Sequence, residues 1–351
     1  MNTVNVGIIG LGFMGAMHIK AYRKVPTARI AAICNPSGRR LDGDFSDVVG
    51  NVGDKEPVKL DMREIKSTKR FDDLLADPDI HLIDICAPTV AHEPLAVAAL
   101  KAGKHVLCEK PLARSIGAAR RIAEVAARSK GLFMPAMCVR FWPETAWIAK
   151  AIKEQTYGKV LSAWFRRVAE PPAWGQQNFF NGAESGGGLF DLHIHDTDFV
   201  QYCFGRPKAV TSSGYKKFSG AFDHVVTRYD FAPSRDHPLA QNGIVHAEGS
   251  WAMTQGFGFS MTATVNFEKA TVDFDLCRGA EGLRLCVPGE SPRVIQCEGP
   301  DGYARQIDYF VQCIQSGRRP AVVTAADAET SVEICEAEEK SATDRQTVSL
   351  A

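Results

Sequence analysis

Short apolar runs alternate with amphipathic segments over about the first 130 residues of the chain. The runs have the length of buried strands, and the segments between them repeat apolar residues with helical spacing. Strands that alternate with helices in this way predict a parallel, doubly wound α/β sheet. The predicted strands are 4–9, 28–34, 81–88 and 105–110, and the predicted helices are 15–24, 92–102 and 115–129. Residues 41–70 interrupt the pattern with a polar segment, which we interpret as an insertion after the second strand.

The pattern changes after Gly158, where alternating positions rich in β-branched and aromatic residues predict an antiparallel sheet. Its strands are expected within 159–168, 209–215, 224–231, 244–251, 259–267, 270–276 and 283–287. A crossing strand at 133–139 and a helix from Pro143 to about Gly158 are expected before it, and helices at 303–316 and 325–341, separated by Gly317, after it. We therefore predict an α/β domain at 1–130 and an α+β domain at 131–351, whose final helix can pack back on the first domain.

Length and charge limit the kinds of protein that fit this pattern. With 351 residues the chain exceeds what one core usually supports, so two domains are expected. Its 41 Lys and Arg residues equal its 41 Asp and Glu residues, and no run of like charge offers a surface for nucleic acid or an anionic membrane. The expected partner is therefore a small molecule.

The cysteines and the first residues of the chain indicate the cellular compartment. The ten cysteines are spread singly without a CxxC pair, which is typical of reduced thiols. No apolar stretch reaches the roughly 18 residues that a membrane span needs. The amino terminus enters a strand with no basic leader before it. We therefore expect a cytoplasmic protein.

Gly10, Gly12 and Gly15 have the GxGxxG spacing between a predicted strand and a predicted helix. A dinucleotide site needs a tight turn at the first glycine, close backbone approach at the second and helix-on-strand packing at the third. The helix amino terminus then points at the phosphates. The context predicts such a site, and the alternative is an ordinary glycine-rich turn between strand and helix.

The end of the second predicted strand bears on which dinucleotide is preferred. NAD sites usually place an acidic residue there, whereas this chain has Asn35 followed by Ser37, Arg39 and Arg40. Because this segment has no carboxylate to repel a 2′-phosphate and has two guanidiniums, we expect NAD(P) with a preference for NADP. The alternative is that both arginines begin a solvated helix and do not discriminate between NAD and NADP.

The segment Glu109-Lys110-Pro111 closes the predicted strand at 105–110. Open α/β sheets bind ligands at the carboxyl ends of their strands, and the proline prevents the strand from continuing. We therefore expect the side chain of Lys110 to face a ligand.

A third group of polar residues lies in the glycine-led run at 186–198. A helix that begins near Gly188 places Asp191, His195 and Asp198 at i, i+4 and i+7 on one face. A histidine beside an acid titrates near neutrality, as a proton carrier in alcohol oxidation must. The alternative is a satisfied core histidine.

His193 points away from that face, and we interpret it as a structural residue or a support for the site. Asp191, His193 and His195 also look like a metal-ligand cluster. On a helix the two histidines diverge by about 200°, and no CxxC or HExxH motif accompanies them. We therefore expect no metal.

Aromatic and polar residues gather in the predicted strand at 159–168 and in the segment between it and this helix. Such side chains suit the faces and hydroxyls of a sugar-like ring, and a surface loop with one anchoring tryptophan is an equally good interpretation. The candidate substrate residues are Trp164, Arg166, Trp174 and Asn178, accompanied by Arg167, Gln176 and Gln177.

Together these segments resemble the Gfo/Idh/MocA oxidoreductase family, the group of glucose-fructose oxidoreductase and inositol dehydrogenase. The resemblance covers nearly the whole chain, and the IHDTDF segment is especially similar to inositol dehydrogenases. It implies a Rossmann domain, a carboxyl-terminal domain with a large, open, mainly antiparallel sheet, and a homodimer or homotetramer packed through that sheet. The motifs are GLGFMG at 10–15, APTVAH at 87–92, CEKPLA at 108–113 and GGGxxDxxxHxxD at 186–198.

Carried over residue by residue, the resemblance implies roles for individual positions. Its catalytic lysine, aspartate and histidine fall on Lys110, Asp191 and His195. Asn35 departs from the acidic residue that is common in the family, and the insertion at 41–70 is placed where it can cover the adenosine side of the cofactor. The implied cofactor residues are Gly10, Gly12, Phe13, Met14, Gly15, Pro88, Thr89, His92 and Glu109, and a substrate arginine falls on Arg140.

The residues and the resemblance lead to one functional hypothesis and two alternatives. The hypothesis is an NAD(P)-dependent dehydrogenase that moves a hydride between nicotinamide and a secondary alcohol or ketone of a cyclic polyol, sugar or sugar derivative. His195 would take the hydroxyl proton, Asp191 would hold the imidazole and Lys110 would donate to the substrate oxygen, unless Lys110 is itself the base. The alternatives are an NAD-dependent glycoside hydrolase or lyase that uses transient oxidation, and a non-catalytic NAD(P)-binding regulator.

Overall fold

The computed structural model describes residues 3–48, 50, 56–173 and 175–350, and of Gln176 and Asn178 it describes the backbone alone. The chain forms two compact units, 1–141 with 300–329 and 142–299 with 330–351. The division into domains at 1–130 and 131–351 stays a prediction. Within the described residues, no helix combines the length and the apolar character that crossing a membrane requires. None of the ten cysteines forms a disulfide.

The first unit contains a parallel sheet of six strands. They are β1 (Val4–Ile9), β2 (Ala28–Cys34), β3 (Lys66–Thr68), β4 (Leu82–Ile85), β5 (His105–Cys108) and β6 (Phe133–Pro135). Their order, β3-β2-β1-β4-β5-β6, is that of a Rossmann fold, which binds ligands where the order reverses beside β1. The predicted doubly wound parallel sheet is confirmed.

Two details of the first unit differ from the sequence interpretation. The segment 41–70 is not wholly an insertion, because it contains β3, which pairs in parallel with β2. The crossing strand expected at 133–139 is instead the short sixth strand of the sheet, and a 3-10 turn, Cys138–Phe141, follows it. Proline is tolerated in β6 because this is an edge strand, and the N–H of Ala136 after it still donates to the carbonyl oxygen of Cys108 at 2.8 Å.

The second unit contains a mixed sheet of nine strands. They are β7 (Val160–Ala169), β8 (Ala209–Tyr215), β9 (His224–Asp230), β10 (Leu239–Ser250), β11 (Phe259–Phe267), β12 (Thr271–Asp275), β13 (Leu283–Cys286), β14 (Arg293–Val294) and β15 (Val348–Ser349). The order is β14-β13-β12-β11-β7-β10-β9-β8-β15. Strands β7 and β10 pair in parallel and the other neighbours are antiparallel, so the predicted mainly antiparallel sheet is confirmed.

The helices mostly follow the predicted spans. They are α1 (Phe13–Tyr22), α2 (Phe71–Ala76), α3 (His92–Lys101), α4 (Ile116–Arg128), α5 (Pro143–Lys153), α6 (Gln176–Phe179), α7 (Gly182–Ser185), α8 (Ile194–Phe204), α9 (Gly302–Ser316) and α10 (Ala325–Asp344). Helix α5 stops before the expected Gly158, because Gln155 already turns the chain with a φ of 49°. Helix α9 stops at Gly317, as predicted, with a left-handed φ of 69°.

Candidate active site

The glycine turn joins β1 to α1 at the carboxyl edge of the parallel sheet. Gly10 has a φ of 96°, and a Cβ there would lie 2.5 Å from the backbone of Cys86. A Cβ at Gly15 would lie 2.2 Å from the carbonyl oxygen of Gly10. Both positions therefore require glycine, and the helix can begin directly above the strand.

Gly12 has a different role in the turn. Beyond its chain neighbours, no described atom lies within 4 Å of the place that its Cβ would occupy. Gly12 caps α1, and the first turn of that helix, with Phe13 and Met14, has no acidic residue and no side-chain cap. The helix N–H groups beside an open glycine surface fit a pyrophosphate.

The loop after β2 is organised by the side chain of Asn35. Its Oδ1 accepts from the amide of Ser37 at 3.3 Å and from the hydroxyl of Ser37 at 3.0 Å. Its Nδ2 donates to the carbonyl oxygen of Arg39 at 2.8 Å. Asn35 therefore folds the loop that presents Ser37 and Arg39.

Asp47 places a carboxylate beside the two arginines of this loop. Arg40 donates two hydrogen bonds to it, each at 2.7 Å, and a third to the carbonyl oxygen of Leu11 at 2.8 Å. Arg39 comes only within 3.9 Å of Asp47, and its side chain is 70% exposed. Arg40 is therefore engaged within the protein, and Arg39 is the guanidinium that a ligand can reach. The sequence interpretation, confined to residues 35–40, missed Asp47.

The loops after β4 and β5 lie at the same sheet edge. After β4, Pro88 is exposed and Thr89 is half-buried. His92 is buried, with its Nδ1 2.8 Å from the carbonyl oxygen of Pro111 and its Nε2 2.9 Å from that of Ala87. Burial lowers the pKa of His92. His92 therefore ties the two loops together, and its ring is engaged within the protein.

Lys110 follows β5 at this edge and is half-buried. The preceding Glu109 is 4% exposed. One of its carboxylate oxygens lies 3.0 Å from His18 Nε2, and the other accepts the backbone N–H of Lys110 at 3.1 Å. Glu109 is thus engaged inside the protein, whereas Lys110 stands at the edge where parallel sheets bind ligands.

His18 and Asp84 form a buried cluster with Cys86 that the sequence interpretation missed. His18 Nδ1 lies 2.8 Å from Asp84 Oδ2 and 3.4 Å from Cys86 Sγ. The three ligand-type atoms lie within 4.8 Å of one another. Two ligands of a tetrahedral zinc ion lie about 3.3 Å apart, farther than this His–Asp pair. Burial raises the pKa of Cys86 to about 12, so the cluster is a hydrogen-bonded one with a protonated thiol.

Two glycines bring the second unit's candidate helix close to the loop between β8 and β9. A Cβ at Gly187 would lie 2.7 Å from the carbonyl oxygen of Phe222, and one at Gly188 would lie 2.6 Å from that of Asp223. The N–H of Leu189 donates to Phe222 at 3.0 Å. The glycine run therefore fixes where the helix begins.

The helix begins as a π-helix, Leu189–His193, and continues as α8. Asp191 and His195 are half-buried. Asp198, expected on the same face, is 1% exposed and accepts a hydrogen bond from Ser331 of α10 at 3.0 Å. The π-helical turn contains Asp191 and does not keep the α-helical spacing. His195 and Asp198 both lie in α8 and keep their i, i+3 relation, and a face shared with Asp191 stays a prediction.

His193 anchors the π-helix inside the second unit. It is fully buried, and its Nε2 lies 3.3 Å from the Tyr229 hydroxyl and 3.4 Å from Glu338 Oε1. Tyr229 donates to Glu338 at 2.6 Å. A Cβ at Gly249 would lie 2.4 Å from His193 Cβ, so β10 approaches this residue closely. These contacts occupy His193 with structural partners.

One face of the second sheet packs against α8 through alternate residues of β7. The rings of Phe165 and Phe199 meet edge to face at 5.3 Å. Arg167 and Asp196 form a buried ion pair at 3.0 Å. Arg167 therefore supports α8.

Trp164 and Arg166 lie on the opposite face of the sheet, because successive side chains of a strand point in opposite directions. Trp164 stacks on His246 at 4.9 Å, and Arg166 Nε lies 3.0 Å from Glu248. Both side chains therefore point away from α8, and their contact with a substrate stays a prediction.

The remaining substrate candidates are Arg140, Trp174 and Asn178. Arg140 is 4% exposed and donates to the carbonyl oxygen of Val322 at 2.8 Å, with Asp327 3.3 Å away. Its guanidinium is held inside the first unit, and a role in substrate binding stays a prediction. Trp174 and the side chain of Asn178 lie outside the described residues.

Two models of one protein family match successive parts of the chain. Residues 4–137 match the model described as "Oxidoreductase family, NAD-binding Rossmann fold". Residues 145–274 match the model of the GFO/IDH/MocA C-terminal domain. The matched segments fall in the first and second structural units.

Two named dehydrogenases are similar to this chain in sequence. Levoglucosan dehydrogenase of Pseudarthrobacter phenanthrenivorans is 30% identical over 219 residues, which cover 60% of this chain and 54% of that protein. The scyllo-inositol 2-dehydrogenase (NAD(+)) of Bacillus subtilis is 26% identical over 345 residues, which cover 94% and 92%. The match therefore spans about half the length of the first relative and nearly all of the second.

A solved structure shares the fold along its whole length. Levoglucosan dehydrogenase in complex with NADH and L-sorbose superposes with a TM-score of 0.81, covering 100% of both chains at 22% identity. At this identity the likeness establishes the architecture, a Rossmann sheet followed by a mixed sheet.

Proposed function

Because the chain belongs to the GFO/IDH/MocA oxidoreductase family, we propose that it is an NAD(P)-dependent dehydrogenase of a cyclic polyol, sugar or sugar derivative. The observation that carries the proposal is the position of Lys110. It leaves β5 at the sheet edge where the glycine turn opens the amino terminus of α1. A cation beside a dinucleotide turn suits the interconversion of an alcohol and a ketone next to a nicotinamide.

The proposed chemistry divides the work between cofactor and protein. The bound dinucleotide would accept or return a hydride at the nicotinamide C4. His195 would take the hydroxyl proton, and Asp191, four residues before it, would orient the imidazole. Lys110 would donate a hydrogen bond to the substrate oxygen and so stabilise its alkoxide-like form. Lys110 is the alternative base.

The relatives support a ring with several hydroxyl groups as the substrate. Their names refer to levoglucosan and scyllo-inositol. Both compounds offer a secondary alcohol with neighbouring hydroxyls, which polar side chains recognise by hydrogen bonding.

A binding and turnover assay tests the proposal. Protein fluorescence is titrated with NADH and NADPH, and nicotinamide absorbance is then followed with inositols, anhydrosugars, aldoses and keto-sugars. Turnover of one compound supports the dehydrogenase. Product without net change in reduced nicotinamide would favour the glycoside hydrolase or lyase, and binding without any product would favour the regulator. Absence of dinucleotide binding would refute all three.

We also propose that NADP is preferred over NAD. The support is the loop after β2, where Arg39 is exposed and Asn35 replaces an acidic residue. Asp47, the nearby carboxylate, is paired bidentately with Arg40. A 2′-phosphate would thus meet Arg39 and the Ser37 hydroxyl.

We expect Arg39→Ala to weaken NADPH binding by roughly tenfold and to leave NADH binding unchanged, because only NADPH carries the phosphate. Fluorescence titration with both dinucleotides measures this. Arg29→Ala, which removes another exposed arginine of the same strand region, is the control. Equal affinity of the parent protein for both dinucleotides, or an equal loss for both in Arg39→Ala, would contradict the NADP preference.

We further propose that the chain forms a homodimer or homotetramer through the sheet face that carries Trp164. Trp164 and Ile244 on β7 and β10 are 43% and 50% exposed. Large apolar side chains exposed in the middle of a sheet are typical of an interface. Trp164→Glu should shift the sedimentation coefficient to that of a monomer. Val90→Glu, at a residue that is 52% exposed in the first unit, should not.

We propose that the protein is cytoplasmic. The support is the absence of disulfides among its ten cysteines, of which six are buried. Such thiols persist in a reducing compartment. Cell fractionation followed by immunoblotting tests the location.

A further inference from the structure

His18 links the helix of the glycine turn to the end of the strand that carries Lys110. It lies in α1, three residues after Gly15, and is fully buried. Its Nδ1 is 2.8 Å from Asp84 Oδ2, and its Nε2 is 3.0 Å from Glu109 Oε1. When both carboxyl groups are ionised, both ring nitrogens donate and the ring is an imidazolium.

The electrostatics of the cluster agree with a charged ring. Burial alone would lower the pKa of His18. The charge and hydrogen bond of Asp84, with a contribution from Cys86, outweigh burial and raise this pKa well above its usual value. Hydrogen bonds with charged partners are shorter and stronger than neutral ones, so the link from α1 to Glu109 is firm.

Glu109 extends this link to the backbone of Lys110. Its Oε2 accepts the N–H of Lys110 at 3.1 Å, and its own N–H donates to the carbonyl oxygen of Ile85 at 2.9 Å. On the other side of Lys110, the Pro111 carbonyl oxygen lies 2.8 Å from His92 Nδ1. The backbone of Lys110 is therefore held from both directions.

We propose that His18 is a positioning residue for Lys110. Through Glu109 it fixes the Lys110 backbone relative to α1, whose amino terminus forms the dinucleotide site. The inference rests on the proposed function, in which Lys110 touches the substrate. His18 is buried and acts through Glu109. Geometry is critical here, because a misplacement of about 1 Å can slow catalysis roughly a hundredfold.

Two substitutions separate the two bonds of His18. In His18→Asn the amide nitrogen takes the place of Nδ1, so the hydrogen bond to Asp84 is kept and the one to Glu109 is lost. In His18→Gln the amide nitrogen takes the place of Nε2, so the hydrogen bond to Glu109 is kept. We expect His18→Asn to lower kcat by about tenfold to a hundredfold while the dissociation constant of the reduced dinucleotide changes by less than about threefold. His18→Gln should retain most of the turnover.

An isotope effect distinguishes positioning from loss of folded protein. With substrate deuterated at the carbinol carbon, the effect on kcat should rise in His18→Asn, because hydride transfer becomes slower relative to product release. A smaller fraction of folded protein would lower kcat and leave the isotope effect unchanged, and that result would overturn the proposal.

The dependence on Lys110 is tested in the Lys110→Ala background. If His18 acts through Lys110, His18→Asn lowers the kcat of Lys110→Ala by less than about twofold. An equal loss in both backgrounds, or full turnover of His18→Asn, would overturn the role of His18 and leave the proposed function intact. Full turnover of Lys110→Ala would overturn both.

A second variant keeps the test valid if His18→Asn does not fold. Glu109→Gln has the same shape, but its one amide oxygen cannot accept both the Nε2 proton of His18 and the N–H of Lys110. It should show the same loss of kcat and the same dependence on Lys110. Wild-type turnover of Glu109→Gln would overturn the proposal.

Discussion

Lys110→Ala should lower kcat by roughly a hundredfold to ten-thousandfold and change the dissociation constant of NADH or NADPH little. The side chain stands at the ligand edge of the sheet, and its loss removes a charged donor to the reacting oxygen. The backbone there is held by Glu109 and, through Pro111, by His92, so truncation leaves the loop in place. Initial rates with the identified substrate and fluorescence titration with the dinucleotide measure the two quantities.

A matched lysine and a conservative variant sharpen this test. Lys101→Ala, at the exposed end of α3, should have wild-type kcat. Lys110→Arg keeps a cationic donor that does not deprotonate in proteins. It should retain part of the turnover if Lys110 donates to the substrate oxygen, and it should be as slow as Lys110→Ala if Lys110 is the base. Near-wild-type turnover of Lys110→Ala would refute its catalytic role.

Sequence periodicity was sufficient to predict most of the parallel sheet, because its long strands are buried and apolar. It did not predict β3, because Lys66–Thr68 is a short, polar strand at the sheet edge. It also missed the parallel pairing of β7 with β10, since periodicity reports that a strand exists and does not report its neighbour. Pairing of distant strands is decided by tertiary contacts.

The glycine turn was predictable because Gly10 and Gly15 have no room for a Cβ and Gly12 leaves the amino terminus of α1 open. The faces of β7 were not, because alternation identifies two faces without showing which one α8 covers. The choice of Trp164 and Arg166 as substrate candidates rested on composition alone, which does not show that they point away from α8. Contacts with Phe199 and Asp196 of α8 settle the orientation.

The sequence contains one sign of the buried cluster around His18. Asp84 is a carboxylate inside the apolar strand β4, and His18 lies in a helix packed on that sheet. A charge in such a strand requires a buried partner, which the sequence does not identify. The π-helix at 189–193 is different, since its register depends on the glycine run and on His193 meeting Tyr229 and Glu338. Those contacts come from distant parts of the chain.

His195→Ala should lower kcat by roughly a hundredfold to ten-thousandfold, with dinucleotide affinity little changed, because the alcohol loses its proton acceptor. Asp191→Asn, which keeps the shape and removes the charge, should cause a smaller loss by leaving the imidazole less well oriented. His81→Ala is the control, because His81 lies just before β4, at the edge of the parallel sheet opposite to Lys110, where it accepts the backbone N–H of Asn5. Steady-state rates with the identified substrate measure all three.

The pH dependence of alcohol oxidation then assigns the base. A histidine base must be neutral, so kcat/KM of the parent protein should fall with increasing acidity as the imidazole takes up a proton. In His195→Ala this acidic limb should disappear and leave a low rate that is insensitive to pH in the same range. If the decrease of kcat/KM at acidic pH persists in His195→Ala and is absent from Lys110→Arg, then Lys110 is the base. The imidazole of His195 would then support the substrate hydroxyl, and Asp191 would hold that ring in place.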